Sequence, residues 1–235
     1  MNIKLLISGK SPLYKKKYYT INPDKIICLG RNYKAHAQEL GDNIPSEPIL
    51  FIKTKNVLIG NNEPIIIPKI LSKMNFPRVD YEGELAVIIG KDCKNVKREN
   101  AFDYILGYTC FNDVTARDMQ QVDLKQSNPW FRSKSLDTFG PIGPIIVTTE
   151  IIKDPNNLKL ETRLNGKIVQ KANTSEMIFK VDFLIEYISS LMILKSGDII
   201  CTGTPSGIGM LKPNDTIEVE IENIGILRNY VVMEN

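Results

Sequence analysis

Two glutamates, Glu82 and Glu84, stand two residues apart in the run 79–89. That spacing puts both side chains on one face of a β-strand. Like charges held so close repel unless they are solvated or share a cation. A solvated sheet face would answer the first way. Against it, the flanking run Leu85-Ala86-Val87-Ile88-Ile89 is apolar on both faces, and a strand buried on both sides does not tolerate an unpaired carboxylate. A cation resolves the conflict. Asp113 ends another apolar strand, residues 108–111. Taken alone it reads as the cap of a helix starting near Thr115. Joined to the two glutamates it completes a three-carboxylate, all-oxygen set. Such hard donors favour Mg2+ or Mn2+ and leave positions for water or substrate.

His36 and Glu39 are three apart in a helical stretch, and so are neighbours on one helix face. A carboxylate beside an imidazole orients it and raises its basicity, as a general base requires. A surface ion pair is the competing explanation. Lys134 follows the sole tryptophan, Trp130, within Arg132-Ser133-Lys134-Ser135, and a lone loop lysine is ordinarily solvated. The run Thr202-Gly203-Thr204-Pro205-Ser206-Gly207-Ile208-Gly209 could bind an anion through its backbone N–H groups. It lacks the Gly-Lys-Ser/Thr of a phosphate loop and the dinucleotide spacing. A plain turn explains it as well.

The elements that must position these residues are mostly strands. Residues 26–29, 49–53, 65–67, 79–89, 107–113 and 199–202, and the arms flanking 223–225, read as strands. Helical spacing appears over 32–40, with Gly41 as a C-terminal cap, over 95–106, and at Val181, Leu184, Ile185 and Ile188. Asn165-Gly166 between two strand-like arms is a hairpin signal. Strands and helices do not alternate regularly, so the fold class is α+β rather than doubly wound. Residues 1–22 read as a short, weakly patterned arm, and 23–235 as one catalytic domain.

Composition narrows the chemistry. The chain has 235 residues, 43% of them apolar, 30 basic and 27 acidic residues, and a net charge of +3. It is an ordinary globular chain, with no charge excess to drive nucleic-acid binding through backbone phosphates. One histidine excludes a zinc site built from several histidines. Cys28, Cys93, Cys110 and Cys201 form no Cys-x-x-Cys pair and read as small core residues. No run approaches the ~20 apolar residues of a membrane span. The apolar stretch 3–7 is too short for the hydrophobic region of a signal peptide. A reduced, cytoplasmic protein is expected.

Taken together the segments resemble the fumarylacetoacetate hydrolase family, most closely its small acylpyruvate hydrolases and oxaloacetate decarboxylases. Seven stretches carry the likeness in order. They are Gly30-Arg31-Asn32-Tyr33 with His36 and Glu39, residues 48–53, Asp80-Tyr81-Glu82-Gly83-Glu84-Leu85, and residues 112–120. Lys134-Ser135, Ser175-Glu176-Met177-Ile178-Phe179, and Gly197 to Pro205 complete them. The resemblance implies a strand-rich mixed β-roll with peripheral helices, usually a homodimer. It implies Glu82, Glu84 and Asp113 as ligands of Mg2+ or Mn2+, and His36 with Glu39 as a water-activating dyad on a short helix that closes over substrate. Lys134 would stabilise an enolate or oxyanion. Arg31, Tyr33, Lys53, Arg117, Gln120 and Thr204 would meet a small α-keto acid substrate. The implied reaction is C–C hydrolysis of acylpyruvates, with decarboxylation of oxaloacetate as a second activity through the same enolate. An isomerase or keto–enol tautomerase acting on oxaloacetate or a 2-hydroxy-diene-dioate is the alternative. A metal-dependent binding protein without catalysis is a third reading, and the complete carboxylate triad counts against it.

Overall fold

The computed structural model describes residues 3–14, 17–39 and 44–235. A nine-stranded mixed sheet runs, in spatial order, Tyr18–Ile21, Ile3–Ser8, Gly140–Thr148, Ile105–Asn112, Gly83–Ile89, Ile199–Cys201, Ile26–Gly30 and Ile49–Lys53. The short strand Leu58–Ile59 pairs alongside Gly140–Thr148. A five-stranded sheet follows the order Lys167–Asn173, Lys159–Leu164, Thr216–Ile221, Gly225–Met233 and Pro64–Ile67. A small third sheet joins Thr115–Ala116, Val79–Tyr81 and Gly209–Met210. The α-helices are short: α1 (Lys34–Glu39), α2 (Lys69–Lys73), α3 (Arg117–Lys125), α4 (Phe131–Lys134) and α5 (Val181–Leu191). This is the expected strand-rich α+β roll.

Gly83–Ile89 shows why the fold holds together. Every residue in it is buried. Leu85, Val87 and Ile89 point into one core, with Val181, Leu184, Ile185 and Ile188 of α5. Ala86 and Ile88 point into another, with Ile3, Leu5 and Ile7. The two-residue period of the strand thus feeds both layers. All four cysteines are free and buried, as expected of core residues.

Residues 3–8 are not a detached arm. Ile3, Leu5 and Ile7 face the core, and the strand lies parallel to Gly140–Thr148 with Leu6 opposite Ile145. The segment 95–106 forms a 3-10 helix at Arg98–Tyr104 rather than an α-helix. The helix expected over 32–40 spans Lys34–Glu39, because Asn32 and Tyr33 are diverted to other contacts. Leu40 and its expected cap Gly41 lie outside the described residues. The Asn165-Gly166 hairpin forms, both residues taking positive φ (51° and 78°), the requirement of its tight turn.

The strand expected over 79–89 is in fact two, broken at Glu82. Val79–Tyr81 belongs to the small sheet and Gly83–Ile89 to the large one. At the break the Glu82 N–H donates to Asn112 Oδ1 at 2.9 Å, and its carbonyl accepts from Asp113 N at 2.8 Å. Gly83 is needed here. A Cβ on it would lie 2.2 Å from Thr162 Oγ1 of the five-stranded sheet. The crossing point between sheets is also where the acidic residues gather.

Candidate active site

Glu82, Glu84 and Asp113 converge as their spacing suggests. One oxygen from each lies within 4.8 Å of the others, and all three residues are buried. Asp113 caps no helix. Its Oδ1 accepts from Lys53 Nζ at 2.5 Å and its Oδ2 from Lys134 Nζ at 2.6 Å. The Lys134 ammonium also donates to Glu82 Oε2 at 2.9 Å. Glu82 Oε1 accepts from the Arg117 guanidinium and from Thr115 Oγ1. Glu82 and Asp113 are thus gripped by three cations in a water-poor setting, where such pairs are strongly coupled, while Glu84 has no cation of its own.

The carboxylates are not equivalent. Burial alone would raise Glu82, but Lys134 and Arg117 outweigh it and hold the group well below the usual carboxylate range. Burial pushes Glu84 well above that range, and the neighbouring Asp113 and Glu82 charges push it further. Glu84 Oε2 accepts the Gly203 N–H at 2.8 Å, while its Oε1 is buried without a hydrogen-bond partner. A buried, unpartnered oxygen beside two further carboxylates fits a hard divalent cation, which would satisfy it and relieve the repulsion.

The His36–Glu39 dyad forms at the mouth of this cluster. His36 Nδ1 lies 3.0 Å from Glu39 Oε2, and the imidazole is buried. The carboxylate holds the proton on Nδ1, leaving Nε2 as the basic nitrogen. Glu39 Oε1 in turn accepts from Gly207 N at 2.9 Å. The glycine-rich run 202–209 thus anchors the dyad through the Gly207 N–H. Gly207 has φ +96°, and a Cβ there would meet Val169 O at 2.1 Å.

The histidine, Glu82 and Lys134 open onto one cavity of about 470 Å3. Arg31, Arg117, Gln120 and Thr204 line it too, as expected of substrate contacts. Gln120 is taken up by Arg117, and two more of these, Arg117 and Thr204, are themselves engaged by the protein. Arg117 Nε donates to Asp80 Oδ2 at 2.8 Å and another of its nitrogens to Gln120 Oε1 at 2.6 Å. Thr204 Oγ1 donates to Gly83 O and accepts from Gln170 Nε2. Both position the acidic cluster as much as they face the cavity. Two expected substrate contacts do not line it. Lys53 is turned fully onto Asp113 and Val114 O. Tyr33 sits in the main core against Leu29 and Met177, because its ring belongs to the apolar layer under α5.

Several residues came only with the structure. Asp80 anchors Arg117, and no local pattern announces a pair 37 residues apart. Asn32 ties the loop before α1 to Thr202 O and Phe179 O. Phe51 and Trp130 meet edge to face, 5.3 Å between ring centroids, and wall the cavity with Leu124. A tryptophan shortly before Lys134 was the one available hint.

Fold and site together place the chain among the β-roll enzymes with an acidic centre. Its family follows: the chain belongs to the fumarylacetoacetate hydrolase family, whose C-terminal domain matches residues 25–232. It is 43% identical over 238 residues to the mitochondrial oxaloacetate tautomerase Fahd2a of Rattus norvegicus, covering 96% of this chain and 74% of that protein. The crystal structure of 2-hydroxyhepta-2,4-diene-1,7-dioate isomerase from Mycobacterium marinum superposes with a TM-score of 0.81. It is 40% identical, over 94% of this chain and 83% of that one. Fumarylpyruvate hydrolase from Pseudomonas aeruginosa, solved with Mn2+ and pyruvate, gives 0.88 at 27% identity over 99% of this chain and 97% of that one. No helix among the described residues is long and apolar enough to cross a membrane.

Proposed function

We propose that this chain is a divalent-metal-dependent enzyme of short 2-oxo acids that works through their enolate. The observation that carries the reading is His36, held by Glu39, opening onto the same cavity as Glu82 and Lys134. Glu82, Glu84 and Asp113 would hold Mg2+ or Mn2+, which when bound supplies Lewis-acid polarisation of the 2-oxo acid oxygens. His36, kept in one tautomer by Glu39, moves the proton at Nε2. Lys134, a fixed ammonium at the cavity wall, stabilises the negative charge that develops on oxygen.

Two reactions run through an enolate of this kind, one of the intact substrate and one of its pyruvate product. Keto–enol tautomerisation or isomerisation stands first, supported by the 43% and 40% identical relatives named above. In it His36 takes a proton from the carbon beside the carbonyl and returns it elsewhere. The dyad therefore needs no water to be useful. Hydrolysis of an acylpyruvate stands second, supported by the close fit to a fumarylpyruvate hydrolase. There His36 would deprotonate a water that attacks the distal carbonyl, and C–C cleavage releases the carboxylic acid and leaves the enolate of pyruvate. Decarboxylation of oxaloacetate reaches it by loss of CO2.

Oxaloacetate and acetylpyruvate, incubated with Mg2+ or Mn2+ and with a chelator, separate the readings by product. Enol–keto equilibration without carbon loss supports the first. Pyruvate plus a carboxylic acid supports the second, and pyruvate plus CO2 the decarboxylase. Turnover untouched by the chelator would remove the metal from the mechanism. A homodimer is part of the proposal. The terminal strand Ile49–Lys53 exposes Ile52 (47%) beside Phe131 (55%), an apolar edge that a second copy would cover. Sedimentation of wild type against Ile52→Glu tests it.

A further inference from the structure

We infer that the outer half of the cavity is a second subsite, built for the far carboxylate of a 2-oxo dicarboxylate, and that Lys125 selects that carboxylate. The subsite presupposes that the 2-oxo acid head sits at the acidic cluster, as proposed above.

Helix α3 gives the cavity its length. Arg117, Gln120, Gln121, Leu124 and Lys125 all line it. Their spacing of three, four, seven and eight from Arg117 is that of one helix face. The face runs from the buried Arg117, bonded to Glu82, to the exposed Lys125. Eight residues of helix advance about 12 Å. A 2-oxo acid head held at the carboxylates therefore leaves the Lys125 end of the cavity to the rest of the substrate.

The chemistry changes along that path. The middle is apolar: Leu124 on the helix faces the same space as Phe51 and Trp130. A Cβ on Gly30 would meet the Trp130 ring at 2.7 Å, so the glycine lets the indole come up close against the backbone. Such a wall suits a short hydrocarbon chain. At the far end the charge is positive. Arg31 lies over the Trp130 ring, 5.9 Å from its centroid. Lys125 makes no ion pair or hydrogen bond among the described residues. Among the described residues Glu82 is the only acidic one lining the cavity, and it lies at the opposite end. Arg117 and Lys134 are already engaged by carboxylates of the protein. Beyond Arg31, which is stacked on the indole, Lys125 is the cation placed to meet an incoming carboxylate, through a charge-assisted hydrogen bond.

The test is calorimetric binding to the Mn2+-loaded protein, checked by fluorescence of Trp130, the sole tryptophan. The probes are matched pairs that differ only at the far end: 2-oxoglutarate against 2-oxopentanoate, and 2-oxoadipate against 2-oxohexanoate, with pyruvate as the head alone. In the wild type at least one dicarboxylate should bind about tenfold more tightly than its methyl-ended partner, the scale of one charge-assisted bond at a partly exposed site. Lys125→Gln should bring that pair to parity and Lys125→Glu should reverse it. Pyruvate binding without preference within either pair, or a preference that survives Lys125→Gln, overturns the subsite alone. Failure to bind pyruvate as well contradicts the placement of the head and takes the subsite with it.

Discussion

The two ends of the cavity are built by opposite means. At the inner end, Glu82, Glu84 and Asp113 come from the junction of two sheets, and Lys53, Lys134 and Arg117 grip Glu82 and Asp113 from buried positions. Nothing there can move without leaving a charge unmatched. At the outer end Gln121, Leu124 and Lys125 ride on the exposed face of a nine-residue helix and Trp130 on the loop before α4. Those side chains can change without disturbing the carboxylates. Chemistry placed on the first and selection on the second would let one family keep its enolate step while its substrates vary.

This contrast can be broken in order of effect. Asp113→Asn leaves Lys53 and Lys134 facing a neutral amide in the interior. Urea unfolding should show a loss of about 3–5 kcal/mol, the scale for an uncompensated buried charge. A loss below 1 kcal/mol would mean the cluster is wetter than its burial indicates. Next, His36→Ala should lower turnover of the responsive 2-oxo acid about 10²-fold or more while leaving thermal stabilisation by Mn2+ intact. Loss of both would place the imidazole in metal binding.

Metal affinity should depend on pH through Glu84. Its pKa is raised, so the folded, metal-free protein keeps a proton that the unfolded chain has lost. Stability of the metal-free protein therefore falls as pH rises from the ordinary carboxylate value through the raised one. A cation must expel that proton, so affinity should climb by up to about tenfold per pH unit below the raised value. Glu84→Gln should abolish the climb and the metal response together, and melting of the metal-free variant should not fall. A pH-independent affinity in the wild type would contradict the protonated Glu84. The smallest effect belongs to the outer end. Lys125→Gln should shift unfolding by no more than about 0.5 kcal/mol, as for an unpartnered surface residue.

The inner end was the more legible in sequence, for a physical reason. Glu82 and Glu84 contradict the apolar run around them, and such a conflict shows within a few residues. His36 and Glu39 meet through helix geometry alone. What escaped depends on distant partners. The break at Glu82 follows from two sheets meeting there. The strand Ile3–Ser8 pairs in parallel with residues some 140 positions away, and Leu6 blurs its alternation. Tyr33 and Lys53 were assigned to substrate through the family resemblance of the stretches they stand in. The fold turns one into the core and the other onto Asp113. The aromatic wall of Phe51 and Trp130 joins residues 79 positions apart, a pairing no local pattern encodes.

Both proposed reactions pass through an enolate made or quenched at His36, and that step can be watched without knowing the physiological substrate. Pyruvate in D2O, followed by proton NMR, reports exchange of its methyl hydrogens. The wild-type protein with Mg2+ or Mn2+ should exchange them well above the rate with metal alone. His36→Ala, or addition of a chelator, should return the rate to that background. Exchange that continues undiminished in either case, or none in the wild type, would contradict an enolate chemistry run by His36 and the carboxylate-bound cation.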